Sequence, residues 1–234
     1  MLFPPRASAS SAARTSRSNG SLSAQQALAT LSVEYASLRS QSHCPIGMYV
    51  VPSVESMFVW DGVFFVHQAL SYHSRAFGFY SRSSLRFRLT FNNYPEKAPA
   101  VHFITDVFHP LISQKDGLFS LAPRIPTWLP KEHHVFDVLH WIKTAFKRDA
   151  LDRLKEKDCL NKEAYRYRET TSSFVALASQ TAMLSQSPSA LYDKDHPSLG
   201  GKGRGAIVFH KLTDRELQEM REEIGVQKWE IPSD

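Results

Sequence analysis

Two cysteines, a group of histidines, a pair of arginines and a glycine-rich run are the residues of this 234-residue chain whose types could do chemistry. A cysteine thiolate is a nucleophile and a metal ligand. Cys44 and Cys159 make neither a disulfide framework nor a metal set and read as plain small core or surface residues. His133, His134 and His140 raise the question of metal. Helical ligand pairs sit roughly three or four residues apart. Here His133 and His140 are seven apart, and His134 and His140 six, so they read as polar residues at a helix start. The run Gly200 to Gly205 has neither a GKS nor a GKT register, and no apolar strand precedes it, so it is not a phosphate loop. Arg86 and Arg88 read as solvated strand residues rather than an anion site. These residues call for neither a metal nor a cofactor.

The elements that would position such residues follow from the hydrophobic pattern. Ser23 and Gln26 have the spacing of a capping box, and Leu28, Leu31, Tyr35 and Leu38 then recur at helical spacing, ending before Pro45. Met48 to Val51 and Met57 to Val66 read as strands, the second with Gly62 marking a bulge or a close backbone approach. In a third strand Leu85, Phe87, Leu89 and Phe91 alternate with Ser84, Arg86, Arg88 and Thr90, which predicts one face on a core and the other in water. Val101 to Ile104 is the fourth strand. A loop with Pro110, Pro123, Pro126 and Pro130 follows. Val135, Val138, Leu139, Ile142 and Phe146 then form the apolar stripe of a helix with Lys143, Lys147 and Arg148 toward its C-terminus. A second helix is expected from Lys162 to Gln186, stopped by Ser187-Pro188. The order predicts an α+β fold: an N-terminal helix, a four-stranded antiparallel meander and C-terminal helices.

Composition bounds the partners. The 28 basic and 23 acidic residues leave a net charge of +5, and the basic residues are scattered, so no nucleic-acid partner is expected. No apolar run approaches the ~18 residues of a membrane span, so no direct membrane insertion is expected. Cysteine usage fits a reducing compartment. Residues 1–22 contain Arg6, Arg14 and Arg17 among many serines, and the first acid is Glu34. A transit peptide has this composition, and so does a disordered N-terminal tail. The tail is preferred because the rest of the chain reads as cytosolic. The expected organisation is that tail, a domain over 23–187, a flexible linker over 188–212, and a C-terminal helix and tail over 213–234. In that last part Thr213 and Glu216 form a capping box, with Leu217, Met220 and Ile224 on one face up to Gly225. This helix could dock on its own domain or lie in a partner's groove.

The stretch from Tyr94 to Trp128 carries, in order, Tyr94-Pro95 with Pro99, the strand Val101 to Phe103, His109-Pro110, Gly117 and Trp128. With the flanking elements it resembles the ubiquitin-conjugating-enzyme (UBC-like) fold over residues 23–187. The blocks CPIGMYVVPSVES, WDGVFFV, NNYPEKAPAVHF, VFHPLI and NKEA at Asn161 are similar to the Fused Toes family, the AKT-interacting proteins, among the ubiquitin-conjugating-enzyme variants.

That resemblance implies a cysteine after the Gly-x-(Ile/Val) that follows His-Pro-Asn, because transthiolation needs a thiolate and a thioester reactive toward amines. In this chain Gly117, Leu118 and Phe119 lead, with one residue inserted, to Ser120. The asparagine that supports the oxyanion in such enzymes is replaced by Leu111. His109, Pro110, Leu111 and Ser120 therefore form a vestigial site with no catalytic residue, and His109 is expected to be structural, bonded to backbone. A serine nucleophile would need a general base within hydrogen-bond reach. The first helix, from Ala24 to Leu38, also lacks the basic residues with which family members engage an activating enzyme. The resemblance implies a non-enzymatic adaptor that joins Hook-family coiled-coil proteins and the Fused-Toes-and-Hook-interacting protein, linking early endosomes and vesicles to dynein on microtubules. It would be cytoplasmic, reaching endosomes and microtubules through those partners. The alternative is a variant that binds ubiquitin non-covalently or assists an active conjugating enzyme.

Overall fold

A computed structural model describes residues 12–66, 79–167, 169–192 and 206–225. Residues 1–11, half of the expected tail, lie outside them, as do 193–205, with the glycine run, and 226–234. The elements run α1 (Ala12–Ser37), β1 (Met48–Pro52), β2 (Val59–Phe65), β3 (Ser84–Thr90), β4 (Ala100–Phe103), α2 (Val135–Ala145), α3 (Arg148–Arg153), a 3-10 turn (Glu156–Asp158), α4 (Lys162–Tyr167), α5 (Thr171–Leu184), α6 (Pro188–Tyr192) and α7 (Asp214–Glu223). The strands form one antiparallel meander in the order β1-β2-β3-β4. The α+β expectation holds, each strand within two residues of its expected bounds.

The inner sheet face carries Met48, Trp60, Phe64, Leu85, Phe87, Leu89, Val101 and Phe103, all buried in the core. The α2 stripe packs there too, with Val135, Val138, Leu139 and Ile142 each at 0 % exposure. Gly62 faces Phe87 across the β2–β3 ladder. A Cβ at Gly62 would stand 2.3 Å from the ring, so the glycine marks a close approach, here of a side chain.

Four expectations change. First, α1 starts at Ala12, so residues 12–22 are helical and Ser23 lies inside the helix rather than at its cap. Once one end is anchored in a core, each further residue adds a hydrogen bond at little cost, and the helix propagates past its local start signal. It thereby takes in Arg14 and Arg17, so a helix without basic residues describes only its later part. Second, the helix expected over 162–186 is two, α4 and α5. Third, Pro188 does not merely stop a helix; it opens α6, where its missing N–H costs nothing.

The fourth change concerns the outer sheet face, expected in water. Val63 is 1 % exposed there, although it is not part of the main core, and Asp61, Ser84 and Arg86 are also buried. Residues 206–209, expected to be linker, lie against Asp61 and Arg86. Ala206 N–H donates to Asp61 Oδ2 at 2.9 Å, while Arg88 Nε donates to Asp61 Oδ1 at 2.8 Å. Arg86 Nη1 donates to the Ile207 carbonyl at 3.0 Å, and its guanidinium lies 4.6 Å from the Phe209 ring centroid. Phe209 also meets Phe65. Burial lowers the Arg86 pKa against the pull of Asp61, so this cation is a sequestered group and not a solvated one. Ser84 meanwhile exchanges two hydrogen bonds with Ser185 just past α5.

Candidate functional site

The His109–Ser120 segment leaves the sheet after β4 and returns beside it. Gly117 makes the return possible. Its φ is +73°, and a Cβ would stand 2.1 Å from the Phe103 carbonyl oxygen. Phe103 N–H donates to Gly117 O at 2.8 Å, and Gly117 N–H donates to Ser113 O at 2.9 Å. Ser120 N–H then donates to Leu111 O at 2.9 Å, which fixes Ser120 beside the His109-Pro110-Leu111 turn. The sequence-derived site residues are therefore brought together.

His109 is fully buried, between Tyr80 and Phe146. Leu111 N–H donates to His109 Nδ1 at 3.0 Å, so Nδ1 must carry a lone pair. Its Nε2 therefore carries the proton and donates it to the Ala145 carbonyl at 3.1 Å. Both ring nitrogens are spent on backbone, as expected for a structural histidine. Burial lowers its pKa to about 4, against the opposing hydrogen bond to Ala145. The imidazole joins the loop to the end of α2.

Leu111 is 0 % exposed and belongs to the core. The position that the resemblance assigns to an oxyanion amide contributes packing instead. Ser120 is half-buried, and its carbonyl accepts Trp141 Nε1–H at 3.2 Å. The Ser120 hydroxyl makes no hydrogen bond to a described residue.

The cysteines lie elsewhere. Cys44 precedes β1, and its Sγ donates to the Met48 carbonyl at 3.3 Å. Burial pushes its thiol pKa up, opposed by the nearby charge of Lys143, so the thiolate is disfavoured. Cys159 comes nearer the loop than its sequence position suggests, because Asn161 N–H donates to Pro110 O at 2.9 Å. It is nonetheless only 3 % exposed, with Sγ donating to the Lys155 carbonyl at 3.3 Å. His133, His134 and His140 also go separate ways. His133 Nδ1 accepts Leu129 N–H, His134 pairs with Glu34, and His140 donates to the Ser42 carbonyl. Among the described residues no group of three or more metal-ligating side chains occurs, and no helix is long and apolar enough to cross a membrane.

Two supporting residues escaped the sequence reading. Glu34 is buried in α1 and accepts Tyr94 O–H at 2.8 Å, His134 Nδ1–H at 2.8 Å and Val135 N–H at 3.1 Å. A lone acid on an otherwise uncharged helix stretch, Ala24 to Leu38, was the available signal. Asn161 caps α4 by accepting Ala164 N–H at 2.9 Å. Its place in the NKEA block pointed to it without revealing that role.

Comparison with known proteins agrees with this geometry. The family model described as ubiquitin-conjugating enzyme matches residues 30–182. A "Protein crossbronx homolog" of Anopheles gambiae is 31 % identical over 130 residues, 54 % of this chain and 53 % of that protein. The "Protein AKTIP homolog" of Nematostella vectensis is 31 % identical over 137 residues, 58 % of this chain and 41 % of that protein. "Protein crossbronx" of Drosophila virilis is 29 % identical over 177 residues, 71 % of this chain and 68 % of that protein. The match thus spans about half the length, or less, of the first two relatives. With the meander, the His-Pro loop and the helices all in family order, the chain belongs to the ubiquitin-conjugating-enzyme family and is similar, within it, to the crossbronx and AKTIP homologues.

Proposed function

We propose that this chain is a catalytically inactive ubiquitin-conjugating-enzyme variant that works as a protein-interaction adaptor. The observation that supports it most is the commitment of both His109 nitrogens to backbone beside a Ser120 whose hydroxyl meets no base among the described residues. A serine hydroxyl without a base is a poor nucleophile. Leu111 removes the amide as well, and a single oxyanion donor is worth about 10²–10³ in rate. The fold then offers a rigid surface. Its partners are Hook-family coiled-coil proteins and the Fused-Toes-and-Hook-interacting protein, in a complex linking early endosomes and vesicles to dynein on microtubules. The protein is cytoplasmic and reaches those structures through its partners. The contact regions are α2, the helix after Asn161 and the C-terminal segment.

Affinity purification of the full chain with mass spectrometry tests the adaptor role. Recovery of Hook-type coiled coils supports it, and recovery of ubiquitin machinery without them overturns it. Inactivity has its own assay. Incubation with activating enzyme, ubiquitin and ATP should give no adduct, whereas a base-labile adduct lost in Ser120→Ala would show an active enzyme.

A further inference from the structure

A cleft of ≈610 Å³ opens between α2, α3 and the loop after Ser120. Trp141 lines it and, through its bond to the Ser120 carbonyl, ties it to the vestigial site. Arg124 reaches it from the loop and Arg153 from α3. Both are exposed, and neither makes an ion pair or side-chain hydrogen bond with a described residue. Asp152, next to Arg153, faces Arg148 instead, at 3.9 Å. His133 also lines the cleft, and with Nδ1 accepting from Leu129 its Nε2 is a donor. Among the described lining residues the only acid is Asp137, and one of its oxygens already accepts His134 N–H at 2.9 Å. The cleft thus presents, around an indole wall, an imidazole donor and two guanidinium groups that form no ion pair among the described residues.

We propose that this cleft is a docking site for an acidic peptide segment of a protein partner, whose Asp and Glu carboxylates are gripped by Arg124 and Arg153. Guanidinium forks match carboxylates in geometry and charge, and a low-polarity wall of Trp141, Ile125 and Leu154 suits aliphatic residues between the acids. This deepens the adaptor reading by naming the chemistry of the partner segment, and rests on that reading only for the segment's place in an assembly.

The test is a titration of the ¹⁵N-labelled full chain with the peptide Ac-Glu-Leu-Glu-Glu-Leu-Glu-NH₂, read at the Trp141 indole N–H resonance, with inorganic phosphate and a Lys-for-Glu peptide as controls. The acidic peptide should move that resonance saturably at micromolar to low-millimolar concentration. Arg124→Glu with Arg153→Glu should weaken binding at least tenfold while leaving the other indole resonances in place. Both arginines are exposed, so the fold should survive the change. No shift, an equal response to the Lys peptide, or affinity untouched by the double reversal overturns the proposal. So does an equal response to phosphate alone, which would mark an unselective anion site. A shift that appears on concentrating the chain without peptide would assign the cleft to the acidic α7 of a second copy, and would also overturn it. The titration reads the cleft alone, so its failure is distinct from a failure to recover coiled coils.

Discussion

Replacing Glu34 with alanine should cost about 4 kcal/mol of stability, although the residue lies in no core stripe. Its carboxylate accepts from Tyr94, His134 and Val135, joining α1 to the Tyr94-Pro95 turn and to the start of α2. The Tyr94 hydroxyl and the Val135 N–H are buried, and each buried donor left unpaired costs about 1–3 kcal/mol. The His134 side chain is 43 % exposed, so solvent discounts its share to below about 1 kcal/mol. At about 2–4 °C per kcal/mol for a chain of this size, the melting temperature should fall by roughly 8–16 °C. Glu34→Gln keeps one acceptor oxygen and should cost about half as much. Thermal unfolding followed by circular dichroism reads both variants. A double-mutant cycle with Tyr94→Phe should return a coupling of about 1–2 kcal/mol. A loss below about 0.5 kcal/mol in Glu34→Ala, or a coupling near zero, would refute the claim that this carboxylate holds the three elements together.

Three further outcomes follow. His109 is held neutral with a pKa lowered to about 4, whereas an unfolded imidazole protonates near 6.5. Its contribution is complete above about pH 6.5 and is lost as pH falls toward 4, about 3 kcal/mol in all. Urea unfolding from pH 7 to pH 4.5 should show a smaller acid loss in His109→Gln, by about 2 kcal/mol, and identical profiles would contradict it. Gly117→Ala combines a left-handed φ with a Cβ against the Phe103 carbonyl, and should destabilise by about 2–5 kcal/mol in chemical denaturation. Phe209→Ala removes the ring over Arg86 and should cost about 1–2 kcal/mol. Hydrogen exchange at the Ala206 amide should rise with it; unchanged protection would mean that Phe209 does not hold the segment.

Much of the fold was legible because it rests on local periodicity. The alternation through β3 and the stripe from Val135 to Phe146 identify a strand and a helix, and the inner face and α2 pack as those patterns require. The grouping of Leu111 with Ser120 was legible for a different reason: both are single positions within an ordered motif, and the Ser120 N–H to Leu111 O bond brings them together. The tautomer of His109 was not, because it depends on a carbonyl in another element, 36 residues away. Arg86 was misread for the same reason. An alternating polar residue looks solvated until a segment 121 residues on supplies a carbonyl and a ring above it. The extension of α1 to Ala12 reflects propagation from an anchored end, which a local start signal at Ser23 does not register.

The covered outer face changes where this unit ends. A fragment trimmed after residue 187 keeps every strand, yet it would strip Asp61 of one of its two donors and leave the Arg86 side chain without the carbonyl and the ring that now cover it. The shortest fragment that keeps these contacts reaches Phe209, and surfaces mapped on anything shorter would include one that the longer chain keeps for itself.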